Sequence, residues 1–557
     1  PADSSSVYAL SSNSNGAFNG FYRSTNTGSS FSLVSSSPNI LSSSSTGSGT
    51  SGQGWYDLSI AVDPTNANIV YVGGVNIWKS TNGGANWSLR TYWTSSSSVQ
   101  TVHADHHMLY FGGTNRLYSA NDGGLDVSTN GGVNWTYISS GVCVTQYYRI
   151  STSQTNSNVV LCGAQDNSSS LMTATSFTMT EATGDGMEQA INPSNANIMF
   201  TSSYYGYLSR STNGGSSWTD LTKPNDNGGW VTPYVIDPNN HTSLVAGYTG
   251  VWKSTNNGTN WSKISTFTNS TSLNVIHVAP ANSNYIYAGH SSALWCTTDG
   301  GTTWSQITLP YSSLTSLTSH HTNPDVIWIT MSGYSSTNKV FKSTNGGQTW
   351  QNITGNLPNV PCNVIIYQPN TDNRVWVGTD IGVWYRGDTD PNWVDYNDGL
   401  PNVICNDLEI QYSANKLRLG TYGRGLWEAT LPGAPNAPPI LTSPLSNSSN
   451  VNKNITLQWS PSLNAVSYRV QISTSSNFNN LIVNSLTTNT SFTTTNLNYN
   501  TQYFWRVKAY KQNDSTDWSE VWNFTTRVEI YAPNLVSPQN NANNYATMQT
   551  FIWNYAE

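Results

Sequence analysis

Short apolar runs alternate with polar, glycine-rich octets over residues 1–431. Each run holds a few apolar or aromatic residues, such as Ile77-Trp78 or Val340-Phe341, and leads into an octet that ends in Trp. An apolar run that meets polar turn residues predicts a β-hairpin. The octets read STNGGANW at residues 80–87, STNGGVNW at 128–135, STNGGSSW at 211–218, STNNGTNW at 254–261, TTDGGTTW at 297–304 and STNGGQTW at 343–350.

The residue types in the octet predict the tip of that hairpin. Asn and Asp side chains accept hydrogen bonds from nearby backbone N–H groups, and glycine supplies the positive φ that a chain reversal needs. The Trp then begins the return strand, where its ring can be buried against the neighbouring unit. Because one hairpin cannot bury such a ring alone, we expect the units to stack on one another.

The octets recur at a nearly constant spacing. Their Trp residues are 43 residues apart from Trp218 to Trp261 and from Trp261 to Trp304, and 46 apart from Trp304 to Trp350. A period of about 40–50 residues with several short strands is typical of β-propeller blades. Unrelated hairpins would not keep one period, so the sequence predicts an all-β propeller.

Ten blade-like units fit into residues 1–431, and they can close in two ways. All ten could form one ring. Alternatively, units four to ten, residues 141–431, form a complete seven-bladed ring, and residues 1–140 hold the last three blades of a preceding propeller. The chain begins abruptly within the repeat, which favours the second arrangement.

The octets resemble the Asp-box, or BNR, repeat, whose pattern is S-x-D-x-G-x-x-W. Asn replaces the Asp in five of the six octets, and Asp299 keeps the acid. The repeat is found in sialidases, xyloglucanase-like glycoside hydrolases, sortilin-type receptors and large secreted bacterial surface proteins. The resemblance implies that the box is structural and lies at the blade periphery. A ten-bladed ring would resemble sortilin-type receptors, and tandem rings would resemble xyloglucanase-like proteins.

The composition changes beyond residue 431. Residues 432–439, PGAPNAPP, predict a linker, and the alternating phrases ITLQW at 455–459 and LNYNTQYFWRV at 497–507 predict a β-sandwich. The early Trp and the L-x-x-x-T-x-Y-x-W-x-V phrase resemble a fibronectin type III domain over residues 440–528. Residues 529–557 repeat its opening, so we expect the truncated start of a second such domain.

The low charge narrows the possible partners. Only 9% of the 557 residues are charged, and the net charge is −7 with 22 Lys and Arg, which argues against nucleic acid. No apolar run approaches a transmembrane span, and without a signal peptide we expect a mature or trimmed fragment. Cys143 with Cys162, or Cys362 with Cys405, could form a disulfide in an oxidising compartment, and buried free thiols are the alternative.

One dense polar constellation occurs in units three to five, at predicted strand ends. A carboxylate pair there could act as acid and base on a glycosidic bond. Converging His and Asp residues could hold a metal ion, or the Asp residues could cap tight turns, the interpretation we favour. We expect no metal and no cofactor. The candidate catalytic residues are Asp105, Asp122, Asp166, Asp185 and Glu188, and the candidate binding residues are His103, His107, Gln165, Tyr204, Tyr205 and Trp230.

Strand alternation makes a sharper prediction for the phrase HADHH, which begins at residue 103. It places His103, Asp105 and His107 on one face, and the intervening histidine would turn toward the next strand or a neighbouring blade. Titratable groups cannot face an apolar interface without partners. We therefore expect this face to look into a channel or inter-ring cleft near Asp122 and Asp166.

These observations predict a secreted or cell-surface bacterial protein that binds a polysaccharide, a surface glycan or a surface protein, with fibronectin-type spacers. The alternative is a xyloglucanase-like glycoside hydrolase, and whether the chain is an enzyme stays open. Sialidase activity is rejected, because the F/Y-R-I-P motif that the resemblance would require is missing. The nearest phrase, FYRS at residues 21–24, runs into a degenerate octet, STNTGSSF at residues 24–31.

Overall fold

The structure is a computed structural model. It describes residues 2–95, 98–174, 177–181, 184–369, 371–432, 438–439, 441–459, 462, 465–495, 497–511, 515–529, 533–541, 543 and 550–554, apart from the side chain of Glu181. The first of two compact units comprises Pro1–Tyr367, Val375–Arg386 and Asn392–Thr430.

Three antiparallel sheets open the first unit, and we call them blades 1 to 3. In each sheet, every strand pairs with the strand that follows it in the sequence. Blade 1 holds β1 (Val7–Ser12), β2 (Phe18–Ser24) and β3 (Ser32–Ser35); blade 2 holds β4 (Ser59–Val62), β5 (Val70–Gly73), β6 (Ile77–Ser80) and β7 (Ser88–Leu89); a parallel pair, β8 (Thr91–Tyr92) and β9 (Gln100–Thr101), follows; and blade 3 holds β10 (His106–Phe111), β11 (Leu117–Asn121), β12 (Gly124–Ser128) and β13 (Thr136–Tyr137).

Seven further sheets, blades 4 to 10, have the same strand order. Blade 4 holds β14 (Tyr147–Thr152), β15 (Val160–Ala164), β16 (Ser169–Met172) and β17 (Phe177–Glu181); blade 5 β18 (Gln189–Ile191), β19 (Met199–Ser203), a 3-10 turn (Tyr204–Gly206), β20 (Tyr207–Ser211) and β21 (Thr219–Leu221); blade 6 β22 (Tyr234–Asp237), β23 (Asn240–Gly247), β24 (Val251–Ser254) and β25 (Ser262–Lys263); blade 7 β26 (Val275–Val278), β27 (Ile286–His290), β28 (Ala293–Thr297) and β29 (Ser305–Ile307); blade 8 β30 (Leu314–Ser319), β31 (Ile327–Met331), β32 (Val340–Ser343) and β33 (Gln351–Asn352); blade 9 β34 (Cys362–Tyr367), β35 (Val375–Thr379), β36 (Gly382–Arg386) and β37 (Val394–Asp395); and blade 10 β38 (Cys405–Gln411), β39 (Lys416–Thr421) and β40 (Leu426–Thr430).

Blades 4 to 10 close into a ring of seven. The first strand of each blade packs against the first strand of the next, and β38 of blade 10 returns to β14 of blade 4. At this seam Asp407 Oδ2 accepts a hydrogen bond from Ile150 N at 2.8 Å, and Glu409 Oε2 accepts one from Thr152 N at 3.1 Å. Blade 4 is built from residues 147–181 and blade 10 from residues 405–430, so side chains close the ring between two separate sheets.

The octets form the predicted turns between the third and fourth strands. In blade 2, Ser80 Oγ accepts a hydrogen bond from Gly84 N at 2.8 Å, and Asn82 Oδ1 accepts one from Asn86 N at 2.9 Å. Gly84 has a φ of +96°, as the reversal requires. The same two bonds recur in the octets of blades 3, 5, 6, 7 and 8.

The octet Trp side chains reach the preceding blade. Trp304 Nε1 of blade 7 donates to the carbonyl oxygen of Ile264 in blade 6 at 2.8 Å, and its ring meets Phe267 edge-on at 5.3 Å. Trp350 Nε1 of blade 8 donates to Thr308 O at 3.0 Å in the same way. The prediction that these rings are placed against the neighbouring unit is confirmed.

The second compact unit includes Leu431–Glu557. Two sheets, ordered β41-β43-β46 and β42-β48-β47-β44-β45, enclose a core around Leu457, Trp459 and Trp505. Their strands are β41 (Leu441–Ser443), β42 (Ser448–Val451), β43 (Ile455–Trp459), β44 (Ser467–Ser473), β45 (Leu481–Thr487), β46 (Ser491–Thr494), β47 (Gln502–Tyr510) and β48 (Trp522–Thr526), and a two-stranded sheet follows, β49 (Leu535–Ser537) and β50 (Ile552–Trp553).

The predicted fold class is confirmed: blades of an all-β propeller, a ring of seven with three before it, are followed by a β-sandwich. The proposed domain limits at residues 140, 431, 439 and 528 stay predictions. All five cysteines are free thiols; Cys162, Cys362 and Cys405 are buried, as the second cysteine alternative states, whereas Cys143 is exposed. Among the described residues, no helix has the length and apolarity that a membrane crossing needs.

Candidate functional site

Four aspartates converge where the loops of blades 2, 3 and 4 meet. Asp57 precedes β4, Asp105 precedes β10, Asp122 lies in the turn between β11 and β12, and Asp166 in the turn between β15 and β16. One carboxylate oxygen of Asp105, of Asp122 and of Asp166 lies within 4.8 Å of those of the other two, and the Asp57 carboxyl contacts that of Asp105. We call these four side chains the carboxylate cluster.

Two members of the cluster have a left-handed backbone. Asp105 has a φ of +65° and Asp166 a φ of +57°. Asp is among the few residues other than glycine that adopt this region with any frequency. The extended path of the chain is broken at both positions, so each carboxylate is carried by a loop.

Polar contacts tie the loops of blades 3 and 4 together. His103 Nε2 lies 3.0 Å from the carbonyl oxygen of Asp166, and Asn167 Nδ2 donates to the carbonyl oxygen of Asp122 at 3.0 Å. Each bond crosses from one blade to the other, so the cluster lies on the joint between the three leading blades and the ring.

Side chains around the cluster donate to its carboxylates. Tyr56 OH donates to Asp122 Oδ2 at 2.8 Å, and His107 Nε2 lies 2.6 Å from Asp122 Oδ1. Gln53 Nε2 donates to Asp105 Oδ1 at 3.0 Å. These contacts fix the direction of two of the four carboxylates.

The carboxyl groups are too close to one another to ionise independently. Burial, with the neighbouring Asp105 carboxylate, raises the pKa of Asp57 to about 8. Burial, with the carboxyl of Asp122, raises the pKa of Asp166 to about 7. Burial and the charge of Asp122 also raise the pKa of Asp105. Near neutral pH the cluster therefore holds protons as well as negative charge.

An open cavity of about 430 Å³ adjoins the cluster. Its lining combines polar and apolar residues, which is usual for a ligand site. It includes the polar residues Tyr56, Asp122, Gln165, Asp166 and Asn167, the apolar residues Leu125, Ile138, Val142 and Val144, and Gly423 of blade 10.

The other two candidate carboxylates are placed differently. Asp185 Oδ1 accepts a hydrogen bond from Asp166 N at 2.6 Å, so this side chain shapes the loop that carries Asp166. Glu188 pairs with Arg149 at 3.3 Å, and burial raises its pKa to about 8. Turn capping, the interpretation favoured from the sequence, describes the contact of Asp185.

Three exposed aromatic side chains form a surface that we call the aromatic platform: Tyr204, Tyr205 and Trp230. Tyr204 and Trp230 are stacked, with centroids 5.5 Å apart and planes 10° from parallel, and Tyr205 meets Trp230 edge-on at 5.7 Å. Trp230 Nε1 donates to Tyr148 OH at 3.0 Å, and Tyr148 OH donates to Gln165 Oε1 at 2.7 Å. The platform is thereby connected to the lining of the cavity.

The strand alternation predicted for residues 103–107 is wrong, because β10 begins only at His106 and the left-handed Asp105 breaks the extended path before it. The expected neighbours are nevertheless there: His103 contacts Asp166, and His107 contacts Asp122. His106 is buried and bonds Ser119 Oγ of the next strand at 2.7 Å.

The sequence analysis missed Tyr56 and Asp57. Asp57 lies two residues before the first strand of blade 2, and Asp105 lies one residue before the first strand of blade 3. An Asp just before the first strand of two consecutive blades was the available signal. The octets, which carry the stronger pattern, lie at other turns of the same blades.

Two families match parts of the chain. The family described as "Sortilin, neurotensin receptor 3" matches residues 249–377, within the ring, and the fibronectin type III domain matches residues 443–525. The second match agrees with the sandwich of the second unit. A comparison with curated protein sequences gives no match.

The solved structures that resemble the chain do so at low identity. A GH74 enzyme of Niastella koreensis is 17% identical, with a TM-score of 0.32 over 77% of this chain and 82% of that one. A GH74 xyloglucanase from Xanthomonas campestris is 14% identical, with a TM-score of 0.25 over 82% of both chains. YCF48 bound to D1 peptide is 14% identical, with a TM-score of 0.33 over 67% of this chain and 90% of that one.

Proposed function

We propose that the aromatic platform and the adjoining cavity bind a polysaccharide or a surface glycan. The observation that carries this proposal is the parallel stack of Tyr204 and Trp230, which are 37% and 44% exposed. The apolar faces of sugar rings pack on flat aromatic surfaces, and sugar hydroxyls need polar partners beside them. Gln165, Asp122 and Asp166, which line the adjoining cavity, supply such partners.

His103 and His107 belong to the proposed binding surface as well. Each contacts one of the loops that carry Asp122 and Asp166, so each can orient a carboxylate toward a hydroxyl group. We also propose that the protein is bacterial and is secreted or displayed on the cell surface, where such glycans occur. The sandwich that follows the propeller would then act as a spacer.

Isothermal titration with β-glucan, xyloglucan and mucin-type glycans tests the proposal. We expect one of these classes to bind, and Trp230→Ala to weaken the affinity by about tenfold or more because the stacked ring is lost. Tyr334→Ala is the control, since Tyr334 is a 72% exposed aromatic residue of blade 8, in the turn between β31 and β32 that corresponds to the turn of Tyr204 and Tyr205 in blade 5. Binding of none of the glycans, or an equal loss in both variants, contradicts the proposal.

Glycoside hydrolysis is the second candidate. The observation that favours it is Asp166, whose pKa is raised to about 7 beside the Asp122 carboxyl, because carboxyls of unequal acidity can act as acid and base. One carboxylate oxygen of Asp166, however, lies within 4.8 Å of one of Asp122, which is closer than the carboxyl separations of about 5–5.5 Å and 6.5–9.5 Å in the two glycosidase geometries. Assays for reducing ends in the same glycans, with Asp166→Asn as the inactive comparison, decide this point.

A further inference from the structure

We infer that the carboxylate cluster binds a hard divalent cation, with Ca²⁺ as the first candidate, and that this ion joins blades 2, 3 and 4. The inference does not depend on glycan binding, because it concerns the loops themselves. The donors are all carboxylate oxygens, which Ca²⁺ and Mg²⁺ prefer over the nitrogen and sulfur donors that softer metals take.

The spacing of the oxygens fits a single ion. Ca²⁺ binds its ligands at about 2.3–2.6 Å, so two ligands on opposite sides of the ion are about 4.6–5.2 Å apart. The oxygens of Asp105, Asp122 and Asp166 lie within 4.8 Å of one another, on loops from two blades. Asp122 still has lone pairs available beside its contacts with Tyr56 and His107, since a carboxylate offers about four acceptor positions.

Asp57 is the second, independent observation. It comes from blade 2, and 0% of its surface is exposed. Neither of its carboxylate oxygens accepts a hydrogen bond from an N–H or hydroxyl group of another described residue. Its carboxyl faces that of Asp105. A buried carboxylate without donors is costly unless a cation or a proton neutralises it. Asp57 is therefore an unsatisfied acceptor directed into the cluster.

A bound cation and shared protons are the two ways to neutralise this cluster, because basic side chains do not do so. No Lys or Arg among the described residues forms an ion pair with any of the four carboxylates; the polar neighbours are Gln53, Tyr56 and His107. Blades 3 and 4 contribute the three close carboxylates, and Asp57 of blade 2 lies beside Asp105, so an ion bound there would hold the leading blades against the ring.

Isothermal titration of the full chain with CaCl₂, after removal of divalent ions with EDTA, tests the inference directly. We expect a site whose affinity falls by about tenfold or more in Asp166→Asn and in Asp57→Asn. Asp299→Asn is the matched control, because the other five octets carry Asn at this position and its affinity should equal that of the wild type. Tb³⁺ luminescence excited through Trp55 and Tyr56 provides a local readout.

The melting temperature in EDTA shows whether each variant is folded, and CaCl₂ should raise it in the wild type and in Asp299→Asn but not in Asp57→Asn. If the wild type shows neither binding heat nor a melting shift with CaCl₂ or MgCl₂ in the millimolar range, the cluster is held by protons and the inference fails. It fails equally if Asp166→Asn and Asp57→Asn bind as tightly as the wild type.

Discussion

Gly84 shows how much the fold depends on a residue without a side chain. Its φ is +96°, and an added Cβ would lie 2.2 Å from the ring of Phe21 in blade 1. We expect Gly84→Ala to cost about 1–2 kcal/mol for the backbone and about 1–3 kcal/mol more for the clash. Gly113→Ala is the matched control, with a φ of +86° and no heavy atom within 4 Å. Equal urea-unfolding free energies for the two variants would contradict this account.

Residue-scale features could be predicted from the sequence where the chemistry is local. The turn bonds of Ser80 and Asn82 join atoms within four residues, so the octet alone specifies them. The contact of Asp57 with Asp105 depends on the left-handed backbone at Asp105 and on the packing of two blades. A local sequence pattern predicts neither of these. For this reason the candidate aspartates were found, but their buried partner was not.

The octet Trp is the element-scale contact that ties one blade to the next. Removing the ring of Trp304 deletes its bond to Ile264 O and its packing against Phe267. We expect Trp304→Ala to lower the free energy of unfolding by about 3 kcal/mol. Trp55→Ala is the control, because Trp55 is 73% exposed and its loss should leave the thermal midpoint nearly unchanged. An unchanged midpoint in Trp304→Ala would show that blades do not depend on this ring.

The blades that carry a regularly spaced octet were predicted correctly, whereas the start of β10 and the strand number of blade 10 were not. The spacing of the Trp residues predicted the blades and left two arrangements, one ring of ten or a ring of seven with leading blades. The packing of β38 on β14 confirms the second arrangement. The start of β10 was predicted wrongly because the left-handed backbone at Asp105 interrupts the extended strand that the sequence pattern of residues 103–107 predicts. The pattern of residues 405–430 did not reveal that blade 10 would have three strands in place of four.

At the scale of the whole molecule, the seam of the ring should respond to pH. Burial, with the nearby Asp407, raises the pKa of Glu409 to about 8, so the folded protein keeps this proton above the pH at which the unfolded chain releases it. The unfolded state then binds fewer protons, and the free energy of unfolding falls as the pH rises from about 4.5 to about 8. Glu409→Gln removes this titration while its amide oxygen can still accept from Thr152 N.

We therefore expect the drop in melting temperature between pH 5 and pH 8.5 to be smaller in Glu409→Gln than in the wild type. A drop remains, because burial also raises the pKa of Asp407, to about 6, and that of Glu188. The exposed Asp398, changed to Asn, is the control and should leave the pH profile as it is. A profile of Glu409→Gln that superimposes on the wild-type curve would rule out Glu409 as a source of the pH response.

The seam also determines how the ring yields under load. Because no strand of blade 4 is woven into blade 10, tension on the chain beyond Thr430 acts first on β40, which is bonded only to β39 in its sheet. The backbone hydrogen bonds between such an edge strand and its neighbour break one after another, so the force that resists unfolding stays low. We therefore expect the ring to open first at blade 10 when the chain beyond Thr430 is pulled.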